Sequence, residues 1–298
     1  MCLVGSTFSA AQSNTTPLQN AVMHAMAGRH GTAVVLDVAT SRIIASYRAD
    51  VAARRLALPG SSVKPFTLLA LLQTGKINVQ TSLLCHRPLT IARHNLSCSH
   101  PDTKQPLDPA SALAYSCNSY FTTVALRLTP FELRDSLVAD GFASATGLTQ
   151  KEAAGVIELA SNQSQLQLEA IGEWGVRVTP LELLRAYANL ARLADKHDPK
   201  LDPLFAGLQQ SASYGMGRAA QPDGEMKVAG KTGTSVANEG AWTHAWFAGY
   251  APADKPEIAV VVFLEKGRGG SDAAVVAREI FTAYASDRAA SVPKGSGR

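Results

Sequence analysis

The sequence predicts an α/β fold of the α+β type, in which an antiparallel sheet is built from both chain ends and flanked by helices, with an inserted all-helical lobe. Two observations predict it. Apolar, extended segments lie near both ends of the chain, at 33–47 and 245–264. Between them, from residue 61 to about 213, the apolar pattern is mostly helical. With 298 residues, 46% of them hydrophobic, the chain is long enough to bury one substantial core.

The elements are predicted in this order. Two strands form a hairpin, a buried helix begins at Ser61, further helices follow, and three strands precede a last helix. The strands are expected at 33–38, 43–47, around Lys231, at 245–250 and at 258–264, and the last helix at about 271–285. We therefore expect one domain over residues 25–286, with its helical lobe at about 70–225.

The first polar motif is Ser61-Ser62-Val63-Lys64. Pro59-Gly60 breaks the chain before it, and an apolar helical run follows. In the first turn of a helix the free N–H groups favour a developing anion, and Lys64 shares a face with Ser61. A partly buried lysine can lose its proton near neutral pH and act as a base for the hydroxyl. The alternative is a helix-capping serine followed by a solvated lysine.

One such motif carries little weight alone, because S-x-x-K arises about once by chance in a chain of this length. A second match, Ser291-Val292-Pro293-Lys294, lies in a Gly/Ser/Lys-rich tail and is interpreted as coincidence.

Ser116-Cys117-Asn118 is the second motif, and it links two helical stretches. In a tight link, Ser116 and Asn118 can both face a cleft, where Ser116 would relay a proton and Asn118 would hold a substrate amide. An ordinary helix cap explains this motif equally well when it is considered alone.

Lys231-Thr232-Gly233-Thr234 is the third motif, and it lies in a small, extended segment. Such a four-residue match arises by chance on the order of 0.005 times in a chain of this length. The glycines on both sides of Lys231 let a substrate backbone lie against the strand edge, while Lys231 and the hydroxyls of Thr232 and Thr234 are available for a carboxylate. The Thr234 and Ser61 N–H groups would form an oxyanion hole. A plain glycine-rich turn explains the glycines but not the lysine.

Together the three motifs resemble the transpeptidase domain of penicillin-binding proteins, in the serine β-lactamase/transpeptidase-like superfamily. The likeness runs from about Thr32 to about Ala285. It includes the segments Ile171-Gly172-Glu173-Trp174-Gly175, Val178-Thr179-Pro180-Leu181-Glu182-Leu183, Tyr214-Gly215-Met216 and His244-Ala245-Trp246-Phe247-Ala248-Gly249-Tyr250-Ala251-Pro252.

The resemblance implies a D,D-transpeptidase or carboxypeptidase that acts on peptidoglycan stem peptides ending in D-Ala-D-Ala, with β-lactam antibiotics as acylating mimics. Ser61 would be the nucleophile, Lys64 its base, and Ser116 and Asn118 the second-motif pair. The substrate-docking strand would be Lys231, Thr232, Gly233 and Thr234. No cofactor is required for this chemistry.

Two other functions stay open. A β-lactamase must hydrolyse its acyl-enzyme quickly. No Glu-x-x-Leu-Asn element of the class A type lies between the second and third motifs, but a class D-like enzyme would use a modified Lys64. The other function is a non-catalytic β-lactam-binding sensor or scaffold.

The cysteines support two structural hypotheses. Cys85 and Cys98 would form a disulfide in an exported protein, leaving Cys117 buried behind the second motif. Alternatively, Cys85, Cys98, His100 and Cys117 have the composition of a tetrahedral structural zinc site, although their spacing is not that of a standard finger. The disulfide is slightly preferred, and no catalytic metal is expected.

The ends and the charge bear on location and partners. Residues 3–12 resemble the end of a secretory signal without its charged region, so we expect a periplasmic or extracytoplasmic location with an incomplete export signal. Residues 1–24 are expected to be a signal-like remnant and flexible segment, and 287–298 a flexible tail. The net charge of +4 is diffuse, which argues against nucleic acid and suits anionic wall polymers. Cell-wall assembly proteins are candidate partners.

Overall fold

The structure is a computed structural model that describes residues 16–237 and 240–291. Its helices are α1 (Pro17–Ala25), α2 (Ala49–Arg54), α3 (Lys64–Gln73), α4 (Pro109–Ala114), α5 (Asn118–Ala125), α6 (Pro130–Ala139), α7 (Gln163–Glu169), α8 (Pro180–Ala194), α9 (Asp202–Ser213) and α10 (Ala274–Ser291). Its strands are β1 (Gly31–Asp37), β2 (Arg42–Tyr47), β3 (Thr90–Ile91), β4 (His94–Asn95), β5 (Val156–Ile157), β6 (Val176–Arg177), β7 (Ala229–Val236), β8 (Thr243–Ala251) and β9 (Ile258–Leu264).

One five-stranded antiparallel sheet connects the two chain ends, in the order β2-β1-β9-β8-β7. The N-terminal strand β1 pairs with β9, where Thr32 lies opposite Phe263. The predicted α+β fold, with its sheet built from both ends, is therefore confirmed. Among the described residues β7 forms one edge of the sheet, and one side of the strand that carries Lys231 has no sheet partner there.

Side chains alternate between the two faces of the sheet. Val34 and Val261 face a core shared with the helical lobe. Val35 and Val260 face a second core that is covered by α1 and α10. Helices therefore flank both faces, and the lobe between β2 and β7 contributes α2 to α9. The described part of the chain contains no helix that is long and apolar enough to span a membrane.

Helix α1 occupies residues that we expected to be flexible. The Thr16 side chain accepts a hydrogen bond from the Gln19 N–H at 3.2 Å and Pro17 stands in the first turn, so the helix has a defined start. Leu18 and Val22, one turn apart, are buried against the sheet. Burial on the sheet stabilises a helix that is too short to predict from its periodicity alone.

The other terminal predictions lie partly outside the described residues. Residues 3–12, which resemble a secretory signal, are outside them, as are 292–298. Helix α10 continues to Ser291, into the segment expected to be a tail.

Candidate active site

Ser61 lies in a short 3-10 turn at Gly60–Val63, directly before α3, rather than in the first turn of α3 itself. Gly60 has a φ of +53°, and a Cβ atom on it would lie 2.4 Å from the Thr234 carbonyl oxygen. Its N–H donates to the Gly172 carbonyl at 3.1 Å. The turn is therefore held between β7 on one side and the loop after α7 on the other.

Strand β7 packs backbone to backbone on the same turn. A Cβ atom on Gly233 would lie 2.4 Å from the Pro59 carbonyl oxygen, so only glycine permits this approach. The Leu58 carbonyl accepts hydrogen bonds from Ser235 Oγ at 2.7 Å and Trp246 Nε1 at 3.0 Å. These contacts fix the third motif against the turn at Gly60–Val63.

The second motif links α4 and α5 as predicted. Ser116 adopts the left-handed conformation, with a φ of +56°, which ends α4 abruptly. The Cys117 side chain accepts from the Tyr120 N–H and caps α5. Asn118 Nδ2 donates to the Leu96 carbonyl at 2.8 Å, which orients its amide.

The three motifs meet in one hydrogen-bond network. Lys64 Nζ donates to Asn118 Oδ1 at 2.5 Å and to the Ser116 carbonyl at 2.8 Å, and it lies 3.3 Å from Ser116 Oγ. Lys231 Nζ donates to the same Ser116 Oγ at 2.8 Å and to the Thr232 carbonyl at 2.9 Å. The Ser116 hydroxyl thus connects the lysines of the first and third motifs.

Both lysines are completely buried, and burial disfavours their charged forms. Burial lowers the pKa of Lys64 from 10.5 to about 8. The pKa of Lys231 is held well below its usual range, mainly by burial and also by the positive charge of Lys64. Lys64 therefore has a substantial neutral fraction near neutral pH and can accept a proton.

A cavity of about 500 Å³ opens above this network. Five of the predicted site residues line it: Ser61, Ser116, Asn118, Thr232 and Thr234. Lys64, Lys231 and Gly233 are buried behind the cavity wall. Within the described residues the Ser61 hydroxyl makes no hydrogen bond, so it is free to meet a substrate.

Three charged residues of this cavity wall, Glu173, Arg218 and Arg268, were not predicted from the sequence. Arg268 adds a positive charge beside Thr234, whose Oγ1 accepts from the Gly269 N–H at 3.0 Å and so keeps its own proton for a ligand. Glu173 adds a carboxylate. Glu173 belongs to a segment quoted for the family likeness, but sequence order alone did not place it beside Ser61.

The cysteine and histidine cluster lies behind the second motif. Cys85 Sγ and Cys98 Sγ are 3.6 Å apart, so the slightly preferred disulfide is not present in the structure. Instead Cys98 Sγ also lies 3.7 Å from Cys117 Sγ, and Cys85 Sγ lies 3.7 Å from His100 Nε2. The four potential ligand atoms lie within 4.8 Å of one another.

A sequence profile of the penicillin binding protein transpeptidase domain matches residues 31–282. The chain belongs to this family. The matched region includes both the sheet and the helical lobe.

Curated relatives agree with this assignment. The chain is 27% identical to the peptidoglycan D,D-transpeptidase MrdA of Haemophilus influenzae, over 79% of this chain and 45% of that protein. It is 27% identical to the peptidoglycan D,D-transpeptidase FtsI of Escherichia coli, over 85% of this chain and 50% of that protein. The chain thus spans about half the length of these relatives.

Solved structures share the fold. The D,D-transpeptidase domain of a peptidoglycan glycosyltransferase from Eggerthella lenta superposes with a TM-score of 0.81 at 21% identity, over 91% of this chain and 81% of that one. Pseudomonas aeruginosa PBP2, solved in complex with WCK 5153, gives a TM-score of 0.78 at 24% identity, over 90% of this chain and 76% of that one.

Proposed function

We propose that this domain is a peptidoglycan D,D-transpeptidase or carboxypeptidase that acts on stem peptides ending in D-Ala-D-Ala through a Ser61 acyl-enzyme. The observation that carries the proposal is the Ser116 hydroxyl, which lies between the buried Lys64 and Lys231 in the wall of the cavity that Ser61 lines. The relatives MrdA and FtsI are peptidoglycan D,D-transpeptidases, which supports the same activity.

Acylation follows from these positions. Ser61 Oγ attacks the carbonyl carbon of the penultimate D-Ala and transfers its proton to neutral Lys64. The carbonyl oxygen becomes an oxyanion, for which the N–H groups of Ser61 and Thr234 are the donors we propose. When the peptide C–N bond breaks, the departing D-Ala amine takes a proton that Lys64 supplies through the Ser116 hydroxyl.

Substrate docking uses the free edge of β7. An extended stem peptide adds to that edge as a further strand, and its terminal carboxylate meets the hydroxyls of Thr232 and Thr234. Arg268 at the cavity wall supplies positive charge, and Lys231 donates to Ser116 Oγ. Asn118, whose amide is oriented by Leu96, is available to the peptide amide.

The test is to incubate the protein with a pentapeptide ending in D-Ala-D-Ala, with and without an amino-acid acceptor. We expect release of D-Ala, with a cross-linked product when the acceptor is present, and neither in Ser61→Ala. Absence of D-Ala release from the folded wild type would contradict the proposed activity.

A fluorescent penicillin separates this function from the other two. Label that is lost much more slowly than the stem peptide is turned over indicates a penicillin-binding transpeptidase. Rapid loss of label with accumulation of hydrolysed penicillin indicates a β-lactamase that uses the buried Lys64. Stable label without any stem-peptide turnover indicates a sensor or scaffold.

We also propose that Cys85, Cys98, His100 and Cys117 hold a structural zinc ion. Tetrahedral Zn²⁺ with Zn–S bonds of about 2.3 Å separates its sulfur ligands by about 3.8 Å. The sulfur separations of 3.6 and 3.7 Å fit this geometry. His100 Nε2 lies 3.7 Å from Cys85 Sγ and is the proposed ligand atom.

The role of the metal would be structural, because Cys117 stands between Ser116 and Asn118. A metal that fixes Cys117 would hold the side chains of Ser116 and Asn118 in the positions where they contact Lys64. It would also protect three adjacent thiols from oxidation in an extracytoplasmic compartment.

Metal analysis and thiol titration test this site. We expect about one zinc per chain in the wild type and in His94→Ala, whose histidine is exposed, and loss of zinc in His100→Ala. Three free thiols without metal would reject the zinc site, and a missing pair of thiols without metal would indicate a disulfide.

We infer that the domain works on the outer side of the cytoplasmic membrane, where peptidoglycan is cross-linked. The proposed substrate, peptidoglycan, is the support for this location. Fractionation of cells that produce the natural protein tests it, and recovery of the protein only in the cytoplasm would contradict it.

A further inference from the structure

Glu173 is a carboxylate of the cavity wall, and the acylation steps above leave it unused. It follows Gly172, whose carbonyl accepts the Gly60 N–H at 3.1 Å. Gly172 has a φ of +74°, and a Cβ atom on it would lie 2.3 Å from the Gly60 carbonyl oxygen. The backbone at Glu173 is therefore fixed against the turn that presents Ser61.

The surroundings of Glu173 keep its carboxylate available to a reacting group. Among the described residues that line the cavity, it is the one carboxylate. Its side chain makes no hydrogen bond or ion pair within the described part of the chain. Burial raises its pKa to about 7, and the positive charge of Lys64 opposes that rise. Arg218 and Arg268 also line the cavity, and Lys231 lies behind it.

The second half of the reaction has two proton transfers to accommodate. The acyl acceptor must lose a proton as it attacks the ester, and Ser61 Oγ must gain one as it leaves. Lys64 and Ser116 form one hydrogen-bonded pair on the side of the departing oxygen. When Lys64 holds the proton for the departing oxygen, it cannot also accept the proton of the acceptor, so a second group must take that proton. Environments that hold neighbouring groups in opposite protonation states assign such roles.

We propose, on the basis of the proposed function, that Glu173 is the general base of deacylation. Its carboxylate takes the proton of the acceptor, water or an amine, while the acceptor oxygen or nitrogen bonds to the ester carbonyl carbon. Lys64, which is neutral after the D-Ala amine departs, takes up a proton from solvent in the acyl-enzyme. The bond from that carbon to Ser61 Oγ breaks, and Ser61 Oγ takes this proton from Lys64 through Ser116. The proton on Glu173 then returns to solvent, which balances the proton that Lys64 took up.

The test compares Glu173→Gln with the wild type in two separate steps. Each protein is labelled with a fluorescent penicillin and freed of excess reagent, and loss of label is followed by mass spectrometry. In Glu173→Gln we expect labelling within about threefold of the wild-type rate and loss of label at least about tenfold slower. The wild-type rate of loss should rise as the pH increases through about 7, and the rate of the variant should not.

Glu158→Gln is the matched control, because Glu158 is exposed and pairs with Arg177 at 4.0 Å outside the cavity. Glu158→Gln should be labelled, and should lose its label, at the wild-type rates. The same comparison with a D-Ala-D-Ala peptide and an amine acceptor shows whether the effect extends from water to an amine.

The outcomes separate the two proposals. Equal rates of label loss in the wild type and Glu173→Gln, or equal slowing of labelling and loss, would reject the role of Glu173 and leave the acyl-enzyme intact. Absence of any label on the folded wild type would reject the proposed function together with this role.

Discussion

At the scale of single residues, the site depends on two buried lysines that share one hydroxyl. Lys64 and Lys231 are both fully buried, and each contacts Ser116 Oγ. Two ammonium groups so close together in a buried site would repel each other, so the network favours a state in which one of them is neutral. The lowered pKa of Lys64 is what allows a lysine to serve as a base.

The pH dependence of acylation follows from Lys64. Because only its neutral form accepts the Ser61 proton, and its pKa is about 8, the acylation rate by penicillin should fall as the pH is lowered below about 8. The fall should approach tenfold per pH unit, and the rate should level off above this pH. Stopped-flow labelling from pH 6 to 9 measures it, and a rate that does not change over this range would contradict the role of Lys64.

The residue identities could be read from the sequence, but their spatial relations could not. Spacing predicted that Ser61 and Lys64 share one turn, because that relation is local. The bridge from Lys64 to Lys231 through Ser116 spans 167 positions of sequence, and no local pattern encodes it. Glu173 was missed for the same reason, since its place beside Ser61 depends on the Gly172 to Gly60 hydrogen bond.

At the scale of elements, the decisive contact is between β7 and the turn at Gly60–Val63. Gly60 and Gly233 are in contact with backbone atoms of the opposite segment, so these two elements have no side chains between them. This close approach brings Ser61 and Thr234, the two N–H groups proposed for the oxyanion hole, to the same cavity wall. The hydrogen bonds of Ser235 and Trp246 to Leu58 support the same contact.

Gly60→Ala tests this contact. The substitution combines a left-handed φ of +53° with a Cβ atom 2.4 Å from Thr234 O, so we expect a loss of at least about 3 kcal/mol in the free energy of unfolding and slower acylation. Gly75→Ala is the matched control. Gly75 has a φ of +67° with nothing within 4 Å, so only about 1 kcal/mol should be lost.

Urea unfolding of Gly60→Ala and Gly75→Ala measures the loss in the free energy of unfolding of each variant. Equal losses in Gly60→Ala and Gly75→Ala would show that the approach of β7 to the turn is looser than described.

Elements with strong local signals were predicted correctly, and those that depend on tertiary packing were not. The hairpin of β1 and β2 and the strands β8 and β9 are apolar and extended, so their pattern was sufficient. Helix α1 was expected to be a flexible segment, because its burial arises from contacts with the sheet and α10. The prediction of a Cys85–Cys98 disulfide was wrong, because spacing in the sequence does not show that four potential ligand atoms lie close together in the fold.

At the scale of the whole molecule, the sheet joins the chain ends and two cores stabilise it. Val63 and Cys117, of the first and second motifs, belong to the core shared with the helical lobe, whereas Phe247 and Phe281 belong to the second core, under α1 and α10. The position of β7 therefore depends indirectly on residues that are distant from the cavity.

Phe281→Ala tests this support. Phe281 on α10 is fully buried and its ring meets Phe247 of β8 at 6.1 Å between centroids, so the change should cost about 3–5 kcal/mol in the free energy of unfolding. Phe131→Ala on α6, where the ring is 55% exposed, is the control and should cost less than about 1 kcal/mol. A small effect at Phe281 would mean that α10 is not part of the stabilising core.

The central claim is that Ser61 is acylated, and mass spectrometry of the penicillin-treated protein tests it most directly. The account predicts one penicilloyl group per chain, located by peptide mapping on Ser61, and none on Ser61→Ala. Ser291→Ala, which alters the second S-x-x-K match, should be labelled as the wild type is. Label on a different residue, or label that survives in folded Ser61→Ala, would contradict the account.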